Sequence, residues 1–427
     1  MNMNKHFKNI TSGYAMLWLV LLLLHVNRTD AQVQVLSIDE VLETIDKQNP
    51  MLQESEYKVK ALEEYANGSK SWMAPMIGFG PYWYPYPGEK LMSPAEEGMY
   101  MATIEQDIPN PAKLKAKKNY MVSRISVEQE ARAIQLNRLR TDAKNYYYRW
   151  LTAEKKISVL RENIEIAETM LKLARIRYPY NQGSLGSIYK AEARLHEVEN
   201  MIVMLEGDIE ESSFRLKALM NLDHNALIMI DTATVVRIGT EILNYDTADL
   251  RSERRDIRQM DRTIESMRLN QRLQSMGAKP DFKVRFEHMD PKGAGMPRQY
   301  SLMAMVTIPI APWSSKMYRS ETNAMKYEIE AMKRSREAIL LETKGMLSGM
   351  AKQIARMEQQ ISNYELKIIP ALKKNYETLM IAYEENREDL PMVVDAWEAL
   401  NMAQMNHLEK LTDYYEMIVR YENETYQ

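Results

Sequence analysis

Apolar residues recur along this chain with two different periods, and the change from one to the other marks out the elements. Over Leu136, Leu139, Ala143, Tyr146, Trp150, Ala153, Ile157, Leu160, Ile164, Ala167, Leu171 and Ala174 the gaps alternate between three and four. A seven-residue period of this kind belongs to helices packed knobs-into-holes in a left-handed coiled coil. Leu347, Met350, Ile354, Met357, Ile361, Tyr364, Ile368 and Ala371 repeat it. Elsewhere the period falls to two, the spacing of a strand. Phe282, Val284 and Phe286 alternate with Lys283, Arg285 and Glu287. Leu302, Ala304, Val306 and Ile308 alternate with Met303, Met305 and Thr307. Ala102, Ile104 and Ile108 alternate with Thr103, Glu105 and Asp107, although Gln106 interrupts the apolar side.

These periods predict helix, strand, strand, long helix, tight turn, helix, and then the same order again. The first set covers residues 38–72, 76–86, 98–108, 111–178 and 185–222. The second covers 247–278, 282–289, 300–310, 314–383 and 391–422. Landmarks of the two sets stand 205 residues apart: Pro75 and Pro280, Tyr178 and Tyr383, Leu185 and Leu390, Ala191 and Ala396, Leu195 and Leu400. Constant spacing of this kind is the mark of an internal repeat. The organisation expected is a first repeat over 32–230 and a second over 231–427. Pro111 and Pro391 sit at helix starts, where a missing N–H is harmless. Pro370 falls inside the second long helix and should kink it.

A helix of about 68 residues spans roughly 100 Å at 1.5 Å per residue. The other helices of each set are about half as long, so two stacked end to end match one long helix. That describes a cylinder walled by helices, with the turns near 179–186 and 385–391 at one end. The same coiled coils would also build a rod or filament.

Strands with one apolar and one charged face suit a transmembrane barrel, whose strands need about 9–11 residues. On that reading Phe282, Val284 and Phe286 face lipid, and Lys283, Arg285 and Glu287 face a hydrated lumen. Tyr82, Trp83, Tyr84 and Tyr86 suit an aromatic girdle, while Pro81, Pro85 and Pro87 interrupt the same stretch. The strands within 76–108 and 281–310 form the barrel part. Four strands cannot close a barrel, and open edges are not tolerated in lipid. Three copies would supply twelve strands, an allowed even number. A soluble four-stranded sheet with one wet face is the competing reading.

Composition narrows the picture further. Formal net charge is −3 over 427 residues, so nothing points to nucleic acid as a partner. Lys5 and Lys8 precede the apolar run Leu17-Trp18-Leu19-Val20-Leu21-Leu22-Leu23-Leu24, and Thr29 and Ala31 stand at cleavage spacing. Residues 1–31 therefore read as an export signal, with a membrane anchor as the alternative. There is no cysteine, which excludes disulfides and a lipid-modified cysteine. No second apolar run reaches membrane-helix length, so any crossing of a bilayer must use strands.

Taken together these features resemble the TolC family of outer-membrane efflux and secretion channels. The duplicated plan carries the resemblance over the whole mature chain, with three local matches. They are the turn Tyr180-Asn181-Gln182-Gly183 followed by Ala193-Arg194, the strand entry Lys279-Pro280-Asp281-Phe282, and Asp395-Ala396 after the second turn. The resemblance implies a mainly α fold: long coiled-coil helices forming a trimeric tunnel, plus a twelve-stranded barrel in the bacterial outer membrane. It implies a homotrimer whose helical part crosses the periplasm to a periplasmic adaptor and an inner-membrane transporter. The tips Gly183, Ser184, Leu185, Asp389, Leu390 and Pro391 would then contact the adaptor. Family members narrow the tunnel mouth with acidic residues near the second turn. Asp395 matches one such position, Met392 stands at another, and Tyr189 replaces an acid common at the first turn. These three are the candidate gate.

Catalytic constellations are missing from the sequence. It has no phosphate-cradling glycine loop, no GxSxG, no HExxH and no CxxC. His196, His224, His288 and His407 are widely spaced, and Glu388-Asp389 reads as a solvated turn. No enzyme activity and no cofactor is expected. Methionine is unusually frequent, at 33 residues. Thioethers bind soft metals, but Met350 and Met357 fall on seam positions where methionine simply packs. The function expected is a passive exit duct powered by a partner pump. The alternatives are a periplasmic coiled-coil protein without a pore and, for the cargo, copper, silver or another heavy metal.

Overall fold

The computed structural model describes residues 34–93, 96–181, 183–233, 247–292, 296–309 and 311–426. The predicted export signal lies outside them, as do Gln182 of the first turn and Ile310 at the end of the last predicted strand. In chain order the elements begin with β1 (Gln34–Leu36), α1 (Ile38–Gln48), α2 (Pro50–Gly68), β2 (Met76–Tyr82), β3 (Met99–Ile108), α3 (Pro111–Arg177), α4 (Leu185–Leu219) and β4 (Ile228–Ile230). They continue with α5 (Thr247–Glu253), α6 (Arg255–Ser275), β5 (Phe282–Pro291), β6 (Gln299–Val306), α7 (Pro312–Asn363), α8 (Ile369–Glu384) and α9 (Leu390–Thr425). No helix among the described residues is long and apolar enough to cross a membrane.

Both opening helices differ from expectation in the same way. The predicted helix over 38–72 is broken at Asn49, whose ψ of 124° is extended and whose side chain accepts a hydrogen bond from the Met51 N–H. Pro50 follows, and the residue before a proline is pushed out of the helical region. The helix predicted over 247–278 is broken at Arg254, with ψ of 120°. No proline is responsible there. Arg254 is buried and donates to Asp256 through Nε (3.0 Å) and Nη2 (2.7 Å), and through Nη1 to the Glu424 carboxylate (2.9 Å) and carbonyl (3.0 Å). Burial alone would lower its pKa, but Asp256 and Glu424 outweigh burial and raise it.

The chain divides into two compact units, Met1–Thr44 with Tyr146–Val236, and Ile45–Asn145 with Arg237–Gln427. In the first, β1 and β4 form a short parallel pair that the periodicity does not reveal, because three residues are too few to show alternation. The Tyr147 hydroxyl donates to the carbonyls of Leu36 (3.3 Å), the last residue of β1, and Asp231 (3.2 Å), just beyond β4. The coiled-coil seam of α3 is buried within this unit at Trp150, Ala153, Ile157, Leu160, Ala167, Leu171 and Ala174.

In the second unit α7 packs on α6, and α9 packs on both α7 and α8. Leu250 and Ile257 meet Leu340, Leu347 and Met350 in one apolar cluster. The expected kink at Pro370 takes a definite form. Residues 364–368 make a π-helical turn immediately before it. Proline cannot donate to the preceding turn and its ring crowds the carbonyl four residues back, and one wide turn relieves both. The extra residue rotates the helix. Ile368 and Ala371, expected on the seam, are exposed, while Ile369, Leu372 and Tyr376 are half-buried and Tyr383 is buried. The seam is displaced by one residue beyond the π turn.

Candidate functional site

The sheet is four-stranded and fully antiparallel, in the order β2-β3-β5-β6. β3 and β5 come from different halves of the sequence and pair over ten residues, from Met99 with Pro291 to Ile108 with Phe282. Their start is pinned by Asp281, which takes the Lys113 ammonium at 2.5 Å and the Asn110 N–H at 3.4 Å. The Asn110 side chain donates to the Pro280 carbonyl at 3.0 Å. The strand-entry motif is thus a clasp between β3, β5 and the start of α3. β2 is shorter than expected and ends at Tyr82, since Trp83 adopts a positive φ of 52°. Pro81 is accommodated because β2 lies at the sheet edge.

Register sorts the side chains onto two faces. One carries Ile77 and Phe79 from β2, Ala102 and Ile104 from β3, Phe282, Val284 and Phe286 from β5, and Leu302, Ala304 and Val306 from β6. It is continuous across all four strands and open, with Ile77 78% and Leu302 69% exposed. Gln106 lies on this face, and its amide donates to the carbonyls of Met73 (3.0 Å) and Asp107 (2.7 Å). The other face holds an ion-pair ladder. Glu105, only 8% exposed, receives Lys283 at 2.5 Å and Arg285 at 2.6 Å. Asp107 lies 3.4 Å from Lys283 and Glu287 lies 3.7 Å from Arg285. Sequence reading placed Lys283, Arg285 and Glu287 together, but Glu105 at their centre emerges only from the pairing of β3 with β5.

The two helical turns share a backbone. Asn181 and Asn386 both have a φ of 61°, in the left-handed region that asparagine tolerates. Their N–H groups donate to the Tyr178 and Tyr383 carbonyls at 3.1 and 3.0 Å. Ser184 and Asp389 are the N-caps of α4 and α9. Ser184 accepts from the Ser187 N–H at 3.1 Å, whereas Asp389 makes no side-chain cap bond. Gly183 has open space where a side chain would be, and the turn's left-handed residue is Asn181. Leu185 is 42% exposed, but Leu390 is 4% exposed. Leu390 is thus buried where its counterpart Leu185 is open. Tyr189, Met392 and Asp395 are exposed within the first two turns of α4 and α9. Beside the first turn, Glu168, Leu171, Lys172 and Arg175 of α3 and Glu192 and His196 of α4 line an open groove, crossed by an Arg175–Glu192 ion pair of 2.9 Å.

Residues 41–222 match the family model described as outer membrane efflux protein. No curated protein matches the chain by sequence. Among solved structures the chain is similar to the outer-membrane channel OprN, with a TM-score of 0.74 at 13% identity over 91% of this chain and 89% of that one. It is similar to the outer membrane protein VceC of Vibrio cholerae, with a TM-score of 0.73 at 12% identity over 91% and 95%. The CmeC outer membrane channel of Campylobacter jejuni gives 0.74 at 13% over 91% and 85%. The resemblance to outer-membrane channels is borne out by the family match, which takes in the first turn, and by the likeness in fold. The mainly helical fold with a small sheet is that of outer-membrane channels, which are transport conduits and not enzymes.

Proposed function

We propose that this chain is the outer-membrane exit duct of a tripartite efflux or type I secretion system, driven by an inner-membrane pump through a periplasmic adaptor. The observation that carries the reading is the four-stranded sheet, exposed and apolar on one face, charged on the other. Among the described residues its edge strands β2 and β6 pair on one side only. In lipid both edges must be paired, and a homotrimer closes them with twelve strands. The apolar face of Phe282, Val284 and Phe286 then meets lipid, and the ladder of Lys283, Arg285 and Glu287 with Glu105 lines a wet lumen. Tandem repeats over 32–230 and 231–427 supply two strands and one long helix each. Breaks at Asn49 and Arg254, and the left-handed residues Asn181 and Asn386, keep the same spacing of 205 residues.

Membrane fractionation followed by native mass measurement tests this directly. A trimer in the outer-membrane fraction is expected, and a soluble periplasmic monomer overturns the reading. Val284→Arg should cost about 2–4 kcal/mol of barrel stability if the site lies near the bilayer midplane. Unimpaired assembly of that variant would instead favour a sheet wet on both sides.

Gly183, Ser184, Leu185, Asp389 and Pro391 form the adaptor-contacting tips on this reading, and Tyr189, Met392 and Asp395 form the gate. Three copies of Asp395 around one axis repel one another and favour cations, while Tyr189 and Met392 close the mouth by packing. Single-channel conductance in a planar bilayer decides it. Asp395→Ala is expected to lower cation preference and Tyr189→Ala to raise conductance; no change in either removes the gate assignment. A coiled-coil protein without a pore would give no conductance at all.

A further inference from the structure

Beside the Asp281 clasp lies an open pocket of about 440 Å³, lined by Lys113 of α3, Leu273 and Gln274 of α6, and Met317, Tyr318 and Glu321 of α7. The three α7 residues share one helix face, being three and four positions apart. The walls are fixed by neighbouring contacts. The Gln271 side chain of α6 donates to the Thr322 carbonyl of α7 at 2.8 Å, next to Glu321. Gly277 brings the chain close against Tyr318, where a Cβ would stand 3.0 Å from the Tyr318 Cβ. Asp281 holds the Lys113 ammonium at 2.5 Å, and an ammonium has three N–H donors to give.

The polar groups of this pocket differ from those of the sheet. Glu105 has both carboxylate oxygens occupied by cations. Gln274, Tyr318 and Glu321 are half-buried, and among the described residues their side chains make no hydrogen bond or ion pair. No ion pair joins Lys113 to Glu321 either, although both line the one opening. A cation with donors to spare and an unpaired carboxylate on the rim of one pocket complement the two ends of a zwitterion, through charge-assisted hydrogen bonds at each.

The level of the pocket points to the source of that zwitterion. Asp281 immediately precedes Phe282, where the apolar face of β5 begins. Trp313 and Met317 stand one turn apart at the start of α7 and are 84% and 70% exposed. An open tryptophan at the end of an apolar sheet face belongs at a membrane–water interface. On the exit-duct reading, on which this step rests, the helices leave the barrel towards the periplasm, so this end meets the phospholipid headgroups of the periplasmic leaflet.

We propose that Lys113, Gln274, Tyr318 and Glu321 bind the phosphoethanolamine headgroup of a phospholipid where the barrel joins the helical tunnel. Lys113 donates to the phosphate, and the ethanolamine ammonium donates to Glu321.

Native mass spectrometry of the full-length protein in detergent tests this, with phosphatidylethanolamine and phosphatidylglycerol of the same acyl chains supplied in equal amounts. Preferential retention of phosphatidylethanolamine, one lipid per chain, is expected. Glu321→Gln keeps the shape and removes the charge. It should lower phosphatidylethanolamine retention by about tenfold or more, as loss of a charged hydrogen-bond partner does, and leave phosphatidylglycerol unchanged. Tyr318→Phe should weaken phosphatidylethanolamine retention in the same direction. Glu342→Gln, at an exposed position further along α7, should leave the preference intact. Equal retention of the two lipids by the unaltered protein overturns the proposal, and is the result expected if a second copy of the chain covers the pocket. An undiminished preference in Glu321→Gln overturns it as well. Conductance of the same preparation separates this inference from the one beneath it. A conducting protein without the preference loses the site and keeps the duct, while a protein that holds phosphatidylethanolamine through Glu321 without conducting keeps the site and loses the duct.

Discussion

The two long helical arms of this chain begin from matching landmarks and are built differently. α3 runs for 67 residues without interruption. Its seam stays buried from Leu139 to Ala174, apart from Tyr146 and Ile164, which are half-buried. The second arm is α7, a five-residue π turn and α8. Its seam is buried from Leu347 to Ile361, apart from the half-buried Met357, and then moves over by one residue. The same seven-residue pattern therefore produces one continuous seam in the first arm and two offset seams in the second. The cause is a single residue, Pro370, whose missing N–H makes the regular helix unfavourable just upstream. The site of the π turn is also where His407 of α9 approaches, with Nε2 3.3 Å from the Glu365 carboxylate. A heptad pattern records which residues can pack, and an insertion in the hydrogen-bond ladder decides which do.

The largest expected effect tests this contrast. Leu160 is fully buried in the first arm, so Leu160→Ala should cost about 2–5 kcal/mol through lost burial and an unfilled cavity. Ile368, on the seam by sequence but 39% exposed, should give a change within about 0.5 kcal/mol when replaced by alanine. Denaturant unfolding of the detergent-solubilised protein measures both. A core-sized loss at Ile368 would mean that the seam runs straight through the π turn.

The extents of α3, α4 and α9 were legible because long apolar periods and helix-start prolines are local signals. Strands β3, β5 and β6 were legible because alternation survives even where a residue such as Gln106 interrupts it. What was not legible depends on partners distant in sequence. Glu105 becomes the centre of an ion-pair ladder only when β3 pairs with β5, about 180 residues away in the chain. Arg254 breaks a helix because Glu424, near the other end, receives its guanidinium. Asn49-Pro50 is different: the dipeptide is a local break signal, and the apolar period running through it hides it. In the candidate site, the turn positions could be read from the 205-residue spacing, whereas the burial of Leu390 against the exposure of Leu185 could not, since both are leucines at equivalent helix starts.

A smaller effect tests whether the two turns are alike in backbone. Asn181 and Asn386 share a left-handed φ, and alanine in that region costs about 1–2 kcal/mol. Asn181→Ala and Asn386→Ala should therefore lower stability by similar amounts, and the corresponding glycine variants should be close to neutral. Thermal unfolding reads both. A loss at one turn alone would show that the turns match in sequence position but not in strain.

The smallest effect separates the two caps by mechanism. Ser184 caps α4 through a hydrogen bond from the Ser187 N–H, and removing such a cap costs about 1 kcal/mol. Asp389 makes no side-chain cap bond to α9, so its contribution is the attraction between a carboxylate and a helix N-terminus, about 0.3–1 kcal/mol at low ionic strength. A hydrogen bond to a hydroxyl is insensitive to salt, but a charge acting on exposed N–H groups is screened within about 10 Å at 0.1 M. Ser184→Ala should therefore speed amide hydrogen exchange in the first turn of α4 equally at low and high salt. Asp389→Ala should do so in the first turn of α9 at low salt and lose its effect as salt rises. If the Asp389 effect persisted unchanged at high salt, the residue would be acting through a direct hydrogen bond, and the two turns would be capped in the same way.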